Sequence, residues 1–289
     1  MPDDGLPHPL MRIFHLESTA RTTEDIFTAE SQPMPIGRIY GGQVLAQSIL
    51  AAARTLPEER VVHSMHGYFL RPGDATQGVT LSVDRIHDGR SFSTRRTQAF
   101  QDGVPIFSMI ASFQDEDPGL EHQEAMPVDV PGPDETPGIA EAILTHPLAR
   151  RMLADHPVEV RHIPSPIYLE VEGERRPAQA VWMRVRDRLP DDPAIHRAAF
   201  AYLSDMTIQE TILRAHGIAW ATPGLKVASL DHAMWWHRFG RADEWVLYTQ
   251  NSPNSRGGRG LATGRMFSED GRLLASVAQE IMVRVPDRD

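Results

Sequence analysis

What most limits the fold of this chain is an order of elements that occurs twice. A helix, a Trp- or Phe-rich strand, two further strands, a Gln/Glu-Asp-Gly turn and a closing strand run through the first half and again through the second. In the first half the helix is expected at 41–54, with Val44, Leu45, Ile49 and Leu50 as its apolar stripe and Leu56-Pro57 as its stop. Strand-like runs follow at 61–70, 78–86, 91–100 and 104–113. Arg71-Pro-Gly-Asp74, His87-Asp-Gly-Arg90 and Gln101-Asp-Gly103 punctuate them, so neighbours are expected to pair antiparallel. In the second half, strand-like residues at 158–163 and 178–185 precede a helix that starts at Asp192-Pro193 and is expected to reach His216, with Gly217 as its stop. Runs at 227–238, 244–250, 259–267 and 272–284 complete it. Tyr40 corresponds to Tyr202, Val62 to Val227 and Gly103 to Gly271. Each half can bury its helix against one face of its meander, which gives an α+β fold built twice.

The two units are expected at 10–114 and 158–289, joined by a linker at 115–157 that is rich in Pro, Glu, Asp and Gly and has one possible short helix at 140–153. The first 36 residues are polar and proline-rich, with a short strand expected near 11–16. The chain of 289 residues has ample core and no cysteine, which excludes disulfides, thiolate metal sites and cysteine nucleophiles. A formal charge of −10 argues against a nucleic-acid partner. The first twenty residues have no central apolar run, so no secretory signal is expected; no apolar run approaches the roughly 20 residues that cross a bilayer, and the last residues, Val-Pro-Asp-Arg-Asp, do not read as a Ser-Lys-Leu address. A cytoplasmic protein without membrane contact is expected.

The stretch Val227-Ala-Ser-Leu-Asp-His-Ala-Met-Trp-Trp-His-Arg238 is the densest in polar and aromatic side chains. As one strand it places Ser229, Asp231, Ala233, Trp235 and His237 on one face and Leu230, His232, Met234 and Trp236 on the other. Opposite faces forbid a local Ser-His-Asp triad, and no Gly-x-Ser-x-Gly elbow is present. The repeat offers another way to find a site, because core positions stay apolar in both halves while a working site needs building only once. Gln279 is a lone amide on the face of Leu273, Ala275, Val277, Ile281 and Val283, and its counterpart is Ala111. Left unpaired in the core it would cost about 1–3 kcal/mol. Asp205 shares the core side of its helix with Ala198, Tyr202, Ile208 and Ile212, where the first half has Gln43. Ser229 matches Ser64. Each fits a structural role when taken singly. Together, a carboxylate, a hydroxyl and a carboxamide can orient one water for hydrolysis without a covalent intermediate.

Other motifs carry less. His63, His66, His232 and His237 lack a compact ligand spacing with a carboxylate and read as core or surface histidines, so no metal is expected. Arg256-Gly257-Gly258-Arg259 suits phosphate groups as a weak substrate-binding element, but a mobile, solvated hairpin is the favoured reading.

The sequence resembles the acyl-CoA thioesterase II (TesB-like) family, which has a double hotdog fold. Tyr40-Gly-Gly-Gln-Val-Leu-Ala-Gln47, Val62-His-Ser-Met-His-Gly-Tyr-Phe-Leu-Arg-Pro-Gly-Asp74, Asp88-Gly-Arg-Ser-Phe-Ser-Thr-Arg-Arg96, Pro105-Ile-Phe-Ser-Met-Ile-Ala-Ser-Phe-Gln114, Ala201-Tyr-Leu-Ser-Asp205 and the stretch at 227–238 carry the resemblance across nearly the whole chain. It implies two tandem hotdog units and hydrolysis of acyl-CoA to fatty acid and coenzyme A. It also implies that Asp205, Ser229 and Gln279 activate the water, with no cofactor, in a homo-oligomer. Position 229 carries serine where the family typically has threonine, which keeps the hydroxyl without the methyl that restricts its rotamer. Two alternatives keep the fold: a non-catalytic acyl-CoA binder and a hotdog enoyl-CoA hydratase.

Overall fold

The computed structural model describes residues 8–18, 25–34, 37–139, 145–147, 150 and 156–286. Most of the helix expected at 140–153 lies outside them. The first half comprises α1 (Pro9–Phe14), β1 (Leu16–Ser18), β2 (Asp25–Ala29), α2 (Gly41–Ala53), β3 (Val61–Phe69), β4 (Val79–Asp88), β5 (Phe92–Gln101) and β6 (Val104–Gln114). The second comprises β7 (Val158–Ile163), β8 (Ala178–Val185), α3 (Pro193–Ser204), α4 (Glu210–Ala215), β9 (Lys226–Ser229), β10 (Asp231–Trp236), β11 (Val246–Arg256), β12 (Arg259–Ser268) and β13 (Leu273–Arg284).

The strands form one sheet in the order β1-β2-β4-β5-β6-β3-β10-β13-β12-β11-β8-β7, with β9 also on β13. The halves meet where β3 pairs antiparallel with β10, Met65 opposite Met234. On the inner face, α2 and α3 lie side by side. Both helices are buried nearly all round, as expected of helices enclosed by a sheet. Met65, Phe107, Met109 and Phe113 from the first half and Met234, Val277 and Ile281 from the second pack against them. Each such side chain contributes about 1.5–3 kcal/mol through burial. The fold is the double hotdog that the resemblance implies.

Four sequence expectations change. The segment near 11–16 is mainly helix: Pro9 opens α1, and His8 caps it by accepting the Leu10 N–H at 3.1 Å. β3 pairs with β6, not with β4, because Leu70–Asp74 crosses the sheet end instead of turning back; the Leu70 N–H donates to the Ile106 carbonyl at 2.8 Å. The helix expected to reach His216 breaks after Ser204 and resumes at Glu210. At the break, Ser204, the last residue of α3, and Thr207, both weak helix formers, engage their hydroxyls with His232 and Gln250 from distant strands. The run at 227–238 is two strands, and this break shapes the site.

Candidate active site

Ser229 stands opposite Ile281, whereas Ala233 stands opposite Ala278, so the β9–β10 side carries one extra residue against β13. That is a β-bulge, which resets the alternation of faces. Asp231 stabilises it by accepting the Glu280 N–H on its side chain at 2.6 Å, while the Leu230 N–H donates to the Glu280 carbonyl at 2.9 Å. Ser229 and His232 therefore both face inward, contrary to the single-strand expectation. His232 is buried alongside Met234 and Trp236.

Asp205 arrives from the helix side. It is the residue that caps α3 at its C-terminal end, with φ −89° and ψ −5°, and not a mid-helix position as the uninterrupted helix required. The break leaves its carboxylate pointing at the sheet. Oδ1 accepts the Ser229 hydroxyl at 3.0 Å and the Gln279 amide at 2.9 Å. Gln279 Nε2 also donates to Ser229 Oγ at 2.8 Å. The three residues singled out in the sequence thus meet in one hydrogen-bonded cluster. Asp205 and Gln279 are buried at 3% and 0% exposure, while Ser229 is half-buried and gives the cluster its open side.

The fourth contact comes from the other half of the chain. Asp205 Oδ2 accepts the Gly42 N–H at the start of α2, at 2.9 Å. The Tyr40 hydroxyl, just before that helix, donates to the Tyr202 carbonyl at 2.7 Å. Only glycine permits this approach. A Cβ on Gly41 would sit 2.6 Å from Asp205 Oδ2, and one on Gly42 would sit 2.5 Å from the Tyr202 carbonyl oxygen. Burial pushes the Asp205 pKa up to about 6, and hydrogen bonds from Gln279, Ser229 and Gly42 oppose that rise.

Residues 149–282 match the profile of the acyl-CoA thioesterase family, and residues 30–114 match that of the acyl-CoA thioesterase N-terminal domain. Acyl-CoA thioesterase 2 of Haemophilus influenzae is 36% identical over 95% of this chain and 98% of its own length. The chain belongs to the acyl-CoA thioesterase family. Acyl-coenzyme A thioesterase 8 of Homo sapiens is 38% identical over 91% of the thioesterase described here and 85% of its own length. The solved acyl-CoA thioesterase II TesB2 of Mycobacterium marinum is 41% identical, with a TM-score of 0.78 over 96% of this chain and 99% of that one. The protein is a thioester hydrolase of acyl-CoA, so the binder and hydratase alternatives are not favoured.

Among the described residues of this thioesterase, the first half supplies no second copy of the cluster. Gln43 is buried and uses its carboxamide structurally, accepting the Gln32 N–H at 2.8 Å. The sequence did not indicate the roles of Gly42 or His232. The Gly-Gly pair at a helix start was a readable sign of close approach; nothing local announces the bulge that turns His232 inward.

Proposed function

We propose that Asp205, Ser229 and Gln279 hold and activate the water that attacks the acyl-CoA thioester. An ionised carboxylate has about four acceptor sites, and the Gly42, Ser229 and Gln279 donors take three of them. Ser229 and Gln279 occupy Oδ1, so the remaining site is on Oδ2, where Gly42 is the one donor and Gly41 leaves room, and that convergence of donors on one buried carboxylate is the observation that carries the reading. Water bound there gives its proton to Asp205 as its oxygen bonds to the carbonyl carbon. The tetrahedral intermediate then breaks its C–S bond, coenzyme A leaves as thiolate and takes up the proton, and the free acid remains. Serine suffices at position 229 because only its hydroxyl touches the cluster.

Thiol release over a panel of acyl-CoAs from short to long chain tests this. The base must be ionised, so kcat/KM is expected to be full above pH 7 and to fall through a limb near the Asp205 pKa of about 6. A profile flat to pH 4.5 would remove Asp205 from the base role.

The hairpin at 256–259 supports a coenzyme A contact. Arg256 stands opposite Arg259 and Lys226 opposite Arg284, all exposed, at the strand ends beyond Ser229. Like charges directly opposite are destabilising unless an anion answers them. Glu280 answers Arg259 at 3.0 Å. The remaining cations, with the Gly257 and Gly258 backbone, are available to the phosphates. Replacing Arg256 and Arg284 by serine is expected to raise KM for acyl-CoA about tenfold while leaving acyl-pantetheine, which lacks the nucleotide, unchanged. Equal KM for the variant and the unaltered enzyme would dismiss the patch.

The division proposed is into units at 10–114 and 158–289 with a linker at 115–157; the N-terminal profile ends at 114, and the other begins at 149, inside that linker. Homo-oligomer formation would cover Tyr68 and Ile110 on the outer sheet face, exposed at 63% and 50%. A cytoplasmic setting is in keeping with the absence of cysteine, and among the described residues no helix is long and apolar enough to cross a membrane.

A further inference from the structure

His232 lies directly behind Gln279. Its Nδ1 faces Gln279 Oε1, and its Nε2 lies 2.9 Å from the Ser204 hydroxyl, in the residue just before Asp205. The imidazole is fully enclosed, and burial pushes its pKa down to about 4, which leaves the ring neutral with a single N–H. Which nitrogen carries that proton follows from the partners. An ionised Asp205 requires the NH2 end of Gln279, not its carbonyl, at 2.9 Å. The amide carbonyl is then left facing Nδ1 and must receive a proton, so Nδ1 is the N–H and Nε2 accepts from the Ser204 hydroxyl. Ser204 has one proton, so its other contact, the Ala201 carbonyl at 2.8 Å, goes without it.

The hydrogen bonds therefore run in one direction. Ser204 donates to His232, His232 to Gln279, and Gln279 to Ser229 and Asp205. We infer that His232 is a positioning residue, which as the Nδ1–H tautomer locks the Gln279 carboxamide with its NH2 toward the water-activating carboxylate. Without that donor the amide loses its orientation, and a flip would set its carbonyl against Asp205 and favour the protonated acid. This inference rests on the water-activation reading of the cluster. The other titratable groups facing Asp205 are the phenols of Tyr40, Tyr202 and Tyr248, all raised by burial and neutral across the working range.

The test compares His232→Leu, which keeps bulk and removes the donor, with His232→Asn, whose amide nitrogen can occupy the Nδ1 position. His232→Leu is expected to lose about 100-fold in kcat, as for a misplaced reacting group, with KM for acyl-CoA within about twofold. The acid limb of its kcat/KM profile should move to higher pH. His232→Asn is expected to recover most of kcat and return the limb toward that of the unaltered enzyme. Ser204→Ala, which removes the hydroxyl that fixes the tautomer, provides a milder variant of the same kind should His232→Leu fold poorly; a smaller loss with the same limb shift is expected. A donor-free variant that folds and keeps kcat within about twofold would overturn the inference, as would Leu and Asn variants equally impaired with no shift of the limb. Asp205→Asn run alongside separates the two readings. If it stays active, the water-activation reading fails; if it is inactive while His232→Leu is normal, only the role of His232 falls.

Discussion

Asp205→Asn is expected to reduce kcat for acyl-CoA hydrolysis by about 10²- to 10⁴-fold, the range for loss of a positioned general base. The same change is expected to stabilise the folded protein at alkaline pH. Asp205 has a folded pKa of about 6, raised first by burial, against an ordinary carboxylate value of 3.8. Such a group favours folding most where it is protonated in both states, below the ordinary range. That contribution disappears as pH rises through about 6, so at pH 8 the native state holds a buried charge at a cost of up to about 3 kcal/mol. Asparagine carries no charge there. Its Tm should exceed that of the unaltered enzyme at pH 8, and the difference should shrink toward pH 5. Equal Tm values at both pH values would mean that Asp205 is better solvated than its 3% exposure implies.

Gly42→Ala is the second change with a large expected effect, and it acts across the two halves. The new methyl would lie 2.5 Å from the Tyr202 backbone oxygen and 2.6 Å from the Tyr40 ring. Neither is the free end of a flexible chain: the carbonyl belongs to α3, and the Tyr40 ring packs edge-on against Tyr202 with centroids 4.8 Å apart. The start of α2 must move away, at the roughly 1–3 kcal/mol typical of overpacking. That movement also withdraws the Gly42 N–H from Asp205 Oδ2. A fall in Tm is expected together with a fall of about 10²-fold in kcat, since one preorganised donor is lost from the carboxylate. A variant with lowered Tm but unchanged kcat would show that the α2 terminus packs against the site without taking part in it.

The repeat made the architecture legible, because each half writes its helix and its antiparallel strands in patterns that depend on near neighbours. Asp205 and Gln279 stood out in the sequence because each is polar on an apolar face, and Gln279 has only Ala111 as its counterpart, whereas Ser229, matched by Ser64, stood out only through their company. What could not be read was their arrangement. The end of α3 at Ser204 depends on partners such as His232 and Gln250, which come from distant strands. The reversal of faces between Ser229 and His232 depends on a bulge held by the Asp231 side chain and the backbone of β13. Strict alternation is the right expectation for an isolated strand, and it fails here because the partner strand sets the register. The Gly42 donor belongs to a contact 163 residues apart in sequence, across which no local pattern extends.

Rapid-quench single-turnover kinetics, with enzyme in excess over one good acyl-CoA, tests direct water attack most closely. Coenzyme A, free acid and the mass of the protein are followed in the same quenched samples. Attack by an Asp205-activated water predicts that coenzyme A and acid appear together with one rate constant, and that the protein never gains the mass of the acyl group. Coenzyme A appearing ahead of the acid, with the acyl mass on a peptide containing Ser229 or Asp205, would contradict it.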